Sequence, residues 1–165
     1  MAESFTLELP GGLRWVIERP ADIDGDGYER MAPVSIEANG LQARTTATLS
    51  DGPWNPAQFF AELAADWRGW AGKRNWRALE GEMEIEASHD GARVMIAVTV
   101  KRPDMTFAED AWSARIVFTL EPGEQLAGVA RDLASASPSD PGEECNLTVR
   151  EAWIAAIQRW PWLMA

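Results

Sequence analysis

A chain of 165 residues is the size of one domain and can bury roughly 70% of its unfolded surface without a disulfide or metal staple. Its net charge of −11, spread along the whole sequence, opposes binding to nucleic acid or anionic lipid and favours a basic partner. The single cysteine, Cys145, excludes an intramolecular disulfide. No apolar run approaches the about 18 residues of a membrane span, and residues 1–12 lack the features of a secretory signal, so a cytoplasmic location is expected.

The first fifty residues read as strands. Phe5, Leu7 and Leu9 alternate with polar residues, Pro10-Gly11-Gly12 turns the chain, and Leu13, Trp15 and Ile17 alternate again. A three-residue loop sets Leu9 opposite Leu13, Leu7 opposite Trp15 and Phe5 opposite Ile17. Residues 21–29 read as a polar loop. Val34, Ile36 and Ala38 then lead to Asn39-Gly40, whose small residues suit a type I′ turn, and a second hairpin follows with Ile36 facing Ala43 and Val34 facing Thr45.

A helix is expected next. Asn55 can cap it, Pro56 suits its first position, and Phe59, Phe60, Leu63, Trp67 and Trp70 recur at helical spacing until Gly72. Strands over residues 80–88 and 92–101 should be joined by a two-residue turn at Asp90-Gly91, which sets Ala87 against Val94, Ile85 against Ile96 and Met83 against Val98. A seventh strand carries Trp112, Ala114, Ile116, Phe118 and Leu120 on one face. A short helix covers residues 123–133, residues 134–147 read as a linker, and a last helix over 148–160 carries Trp153, Ile154, Ile157 and Trp160. The expected fold is therefore α+β, a single domain over 1–165. It has one antiparallel β-sheet of about seven strands in hairpins, one helix inserted after strand 4 and packed on the sheet, and two C-terminal helices.

Four groups of residues could carry chemistry. Asp22, Asp24 and Asp26 with Gly27 match the start of a calcium loop, but the twelfth position, where a bidentate Glu is needed, is Pro33, so an ordinary acidic turn explains them more simply. Glu80, Glu82, Glu84 and Glu86 alternate along one strand. They could be a solvated face, a docking strip for a basic partner, or a carboxylate pair for acid–base catalysis. His89 is the only histidine, and nothing beside it resembles a nucleophile. Trp67, Trp70 and Trp76 could line a small-molecule pocket, Trp15, Trp67 and Trp112 read as core, and Lys73, Arg74 and Arg77 form a short basic stretch among the rings. No cofactor motif is present, and no catalytic or metal site is expected.

The run Phe59-Phe60-Ala61-Glu62-Leu63, Asp66-Trp67-Arg68-Gly69-Trp70, Trp76, Leu79-Glu80-Gly81 and His89-Asp90-Gly91 resembles a family of uncharacterised bacterial proteins known only as a domain of unknown function. It also looks like the WapI-type immunity proteins, which have a helix with a Trp-Gly ending, a strand, an Asp-Gly turn and a strand. The likeness covers roughly residues 55–133. It implies no active site, because immunity proteins act by binding. The expectation is a non-enzymatic binding protein, with an immunity-type role against a basic toxin as its specific form. The alternatives are a Trp-lined small-molecule binder, or a domain that self-associates through residues 160–163.

Overall fold

The computed structural model describes residues 4–22, 29–102 and 111–137. These residues form nine strands and two α-helices. The strands are β1 (Phe5–Leu9), β2 (Leu13–Ile17), β3 (Ala21–Asp22), β4 (Glu29–Ala38), β5 (Leu41–Ser50), β6 (Lys73–Arg77), β7 (Met83–His89), β8 (Val94–Lys101) and β9 (Ser113–Leu120). The helices are α1 (Pro56–Ala65), which follows a single 3-10 turn at Gly52–Trp54, and α2 (Glu124–Ala136).

Both N-terminal hairpins have the expected register. Phe5 faces Ile17, Leu7 faces Trp15 and Leu9 faces Leu13, while Ile36 faces Ala43 and Val34 faces Thr45. Here the turn residues and the apolar alternation specify the same pairing, and a slip by one residue would turn every core side chain to water.

The strands form two antiparallel sheets, not the one sheet expected. In the first, β2 and β3 pair in turn along one edge of β4, with β1 outside β2 and β5 along the other edge; the second runs β6-β7-β8-β9. Two strands had no visible pattern. β3 has only two residues, too few for a period. β6 reads Lys-Arg-Asn-Trp-Arg, and as an edge strand it turns only Trp76 fully into the core, so its charges hide the alternation. The inserted helix follows five strands rather than four, and it packs chiefly against α2. One of the two expected C-terminal helices is α2, which runs on to Ala136 through the first residues of the expected linker. The other, over 148–160, lies outside the described residues, as does the rest of the linker.

Two local expectations also change. Helix α1 ends at Ala65 and not near Gly72. Asn55 caps its start by accepting from the N–H of Ala57, and Pro56 opens it as expected. At its end, Asp66 leaves the helix and its carbonyl accepts from Gly69, whose φ of +133° no helix contains. In the β7–β8 hairpin, Ala87 faces Ile96, Ile85 faces Val98 and Met83 faces Val100, a shift of two residues. The Asp90 carboxylate causes it by accepting from the N–H groups of Ala92 (2.9 Å) and Arg93 (2.7 Å). The loop thereby becomes four residues long, closed by Asp90 N–H to the Arg93 carbonyl at 3.1 Å. A shift of two preserves the faces, so the core residues remain those expected while every cross-strand partner changes.

Trp15 sits where the layers meet. It is fully buried, with its ring centroid 5.0 Å from Phe5, 6.0 Å from Phe60 of α1 and 6.3 Å from Phe118 of β9. One residue thus touches both sheets and a helix. A polar seam ties the sheets along β5. The Thr48 carbonyl accepts from Leu79 N–H (3.1 Å), and the Thr45 hydroxyl donates to the Lys101 carbonyl (2.7 Å).

Candidate functional site

The second sheet decides where the acidic row goes, and it divides the row. Glu80 lies exposed in the turn between β6 and β7, where Gly81 adopts a φ of +80°. Glu82 is buried, 4% exposed, beside the seam. One of its carboxylate oxygens accepts from the Thr48 hydroxyl at 2.9 Å, and the other is buried without a partner among the described residues. Only Glu84 and Glu86 stand on the outward face of the sheet. Both are paired there: Glu84 with Lys101 at 2.6 Å, and Glu86 with Lys73 at 3.1 Å and Arg115 at 2.9 Å. The cations come from three different strands, β6, β8 and β9, so the row is part of a mixed-charge ladder. The signal for this was the spacing of Lys73 and Arg77, two strand repeats apart, but it is readable only once residues 73–77 are known to be a strand.

The hydrogen bond from Lys73, followed by that from Arg115, holds the Glu86 carboxyl below its ordinary pKa. The backbone N–H of Ala92, then that of Arg93, does the same for Asp90. A carboxyl with a depressed folded pKa contributes stability that is complete above its unfolded value and lost as pH falls through the folded one. Stability should therefore decline below about pH 4, in the range of free carboxylates. Glu86→Gln with Asp90→Asn should flatten that acid limb. Urea unfolding midpoints from pH 3 to 7 check this, and an unchanged limb would show that these two groups do not carry it.

The tryptophans divide too. Trp76 points into the core, 6% exposed, and its indole N–H donates to the Pro53 carbonyl at 3.0 Å. Trp67 and Trp70 lie beyond the end of α1, on the segment that closes one end of the second sheet. Trp67, expected in the core, is 43% exposed with the Arg68 guanidinium 4.8 Å from its ring, and Trp112, also expected in the core, is 39% exposed. Early termination of α1 is the reason for the first: residue 67 no longer lies on the helical stripe. Trp70 is half-buried, edge-on to His89 at 5.1 Å, and covered by the Arg74 guanidinium at 5.0 Å. Arg74 in turn bridges to Asp66 at 2.6 Å. The basic stretch is thus divided by strand alternation, with Lys73 and Arg77 outward and Arg74 on the Trp70 side.

His89 holds this corner together. Its Nδ1 accepts from Gly91 N–H at 2.9 Å, which makes Nε2 the protonated nitrogen, donating to the Trp67 carbonyl at 3.0 Å. Both ring nitrogens are engaged, so the imidazole in this arrangement offers no lone pair to a proton in flight or to a metal. The ring joins the β7–β8 hairpin to the segment that carries Trp67.

Each of the three rings expected to line a pocket has its own neighbours: Trp67 contacts Arg68, Trp70 contacts His89 and Arg74, and Trp76 reaches Pro53. An open cleft of about 440 Å³ lies elsewhere, between the tips of the first two hairpins, lined by Gly11, Gly12, Glu37 and Leu41 among others. Of the acidic loop, Asp22 pairs through its backbone with Arg30, and Asp24 and Asp26 lie outside the described residues. Among the described residues no group of three or more His, Cys, Asp or Glu side chains is placed to hold a metal ion, and no helix is long and apolar enough to cross a membrane.

One family model, described as a family of unknown function (DUF6228), matches residues 17–140. The match is wider than the 55–133 stretch that carries the resemblance, and it takes in β4, β5 and both helices. It brings no link to the WapI-type immunity proteins. No curated protein and no solved structure gives a significant match.

Proposed function

The chain belongs to this family of unknown function, and we propose that it is a non-enzymatic binding protein that recognises a basic protein partner, in its specific form an immunity-type protein. The observation that carries the reading is the corner at Trp67. A tryptophan 43% exposed, with an arginine stacked on it, stands on a segment fixed from behind by His89 and by the Arg74–Asp66 pair. Tryptophan and arginine on a rigid support are the residues that concentrate binding energy at protein interfaces. The net charge of −11 supplies the long-range attraction that speeds encounter with a basic partner, and Trp67 would be the anchor once contact is made.

Two further observations support binding over catalysis. His89 has both nitrogens committed, and the two outward glutamates of the acidic row are already paired with Lys73, Lys101 and Arg115. The same pairing moves the weight of the proposal from that row to the Trp67 corner, because a docking cation would have to displace cations already in place.

The test is affinity capture from the native host followed by calorimetry with the captured partner. A stoichiometric basic protein released by high salt is the expected result. Trp67→Ala should weaken its binding by about 2 kcal/mol, the scale of an interface hot spot, without changing the melting temperature. A partner bound equally well by Trp67→Ala would move recognition away from this corner, and an empty capture would end the protein-partner reading.

A further inference from the structure

The second sheet ends in β9, and among the described residues no strand pairs with its outer edge. Its eight residues, Ser-Ala-Arg-Ile-Val-Phe-Thr-Leu, contain no proline, glycine or inward-pointing charge, the usual devices that keep an edge from pairing. Its one charge is drawn away from the edge: Arg115 reaches back across β8, past Ala97, to Glu86 at 2.9 Å. Four large apolar side chains are exposed among the described residues, and two of them, Val117 (47%) and Trp112 (39%), lie on β9 or immediately before it.

We propose that β9 is the contact surface for a second copy of this chain, paired antiparallel through a two-fold axis at Val117. The strand is self-complementary in that register. Val117 meets Val117 of the other copy on the outward face, covering the apolar surface each leaves exposed. Arg115 falls opposite Thr119, so the two arginines do not face each other, and Ser113 falls opposite Glu121, a donor opposite an acceptor. On the inward face, Ile116 lies beside Phe118 and Ala114 beside Leu120, so the two cores continue across the junction. Trp112 comes level with Pro122, apolar against apolar. The pairing engages the backbone groups that no described strand pairs with on either edge and joins two four-stranded sheets into one of eight strands, closed by the isologous symmetry that most dimers use. A different partner strand would satisfy the backbone equally well; the second copy is favoured because its own side-chain pattern matches on both faces.

The proposal does not rest on the Trp67 reading: the Trp67 ring lies near Gly123, just beyond the end of β9, so the test is placed at Val117, in the middle of the strand. Light scattering coupled to gel filtration, over a concentration series of the full chain, tests it. The expected mass is twice 18.2 kDa. Val117→Lys and Val117→Glu each place like charges face to face on the axis and should raise the dimer dissociation constant at least about tenfold, giving the monomer mass. Val117 is half-exposed, so circular dichroism and the melting curve of each variant at low concentration should match the parent. Equal amounts of the two variants, mixed, should recover the doubled mass, because Lys then faces Glu. A wild-type monomer at every concentration overturns the proposal. So does a dimer that survives Val117→Lys, or a mixture that stays monomeric.

Discussion

Trp15→Ala should cost about 3–5 kcal/mol of folding stability, the range for removing a large buried aromatic side chain. The position explains why the loss belongs at the top of that range. Trp15 is fully buried, and its ring touches Phe5 on the neighbouring strand, Phe60 on α1 and Phe118 on β9. Its removal therefore opens a void where two sheets and a helix meet, and no single element can move in to fill it. Among the described residues nothing accepts from the indole N–H, so the side chain contributes by volume and ring contact and not through its polar atom. Trp15→Phe should accordingly cost much less than the alanine change, since it leaves no polar partner stranded. Urea unfolding of both variants separates these outcomes: equal losses would mean that the N–H has a partner after all.

The second large effect should come from the seam. Thr48 and Glu82 are both buried, and among the described residues the threonine hydroxyl is the one donor to the glutamate carboxylate. Thr48→Val keeps the shape of the side chain but leaves both carboxylate oxygens of Glu82 without a partner. The expected cost is about 2–3 kcal/mol, the penalty for stranding a buried charged acceptor. Glu82→Gln keeps an oxygen to accept from Thr48 and places an amide N–H2 where the partnerless oxygen lies, so it should cost less than Thr48→Val. In the Glu82→Gln background, Thr48→Val should then cost less than in the parent. A double-mutant cycle at pH 7 measures this coupling, and additive losses would show that the two side chains are energetically independent.

The sheets illustrate how far local signals reach. Both N-terminal hairpins could be read to the residue because Pro10-Gly11-Gly12 and Asn39-Gly40 dictate loop lengths that agree with the apolar alternation. The inward residues of β7, β8 and β9 were equally legible, since period-2 alternation survives a shift of two. The shift itself was not, because Asp90 competes with the backbone for the N–H groups of Ala92 and Arg93, and a two-residue turn and a four-residue turn share the same Asp-Gly.

The candidate site was legible in its members but not in its arrangement. Trp67, Trp70 and the four glutamates could be singled out by type and spacing. Which of them share a surface depends on where α1 stops and on whether residues 73–77 form a strand, and neither leaves a local trace. Gly69, which marks the end of the helix, acts with two contacts distant in sequence, Arg74 to Asp66 and His89 to the Trp67 carbonyl.

By itself, then, the sequence determined the strands with clear alternation, the N-terminal cap of α1, most of the core and the acidic balance, all of which are properties of neighbouring residues. The tertiary structure alone decided that the strands divide into two sheets, that Glu82 is buried while Glu84 and Glu86 are neutralised on the surface, and that Trp67 stands out while Trp76 turns in. The physical reason is the same in each case. Sheet membership, burial and ion pairing are set by partners tens of residues away, and a charged edge strand such as β6 satisfies its backbone through such a partner without needing an apolar pattern of its own.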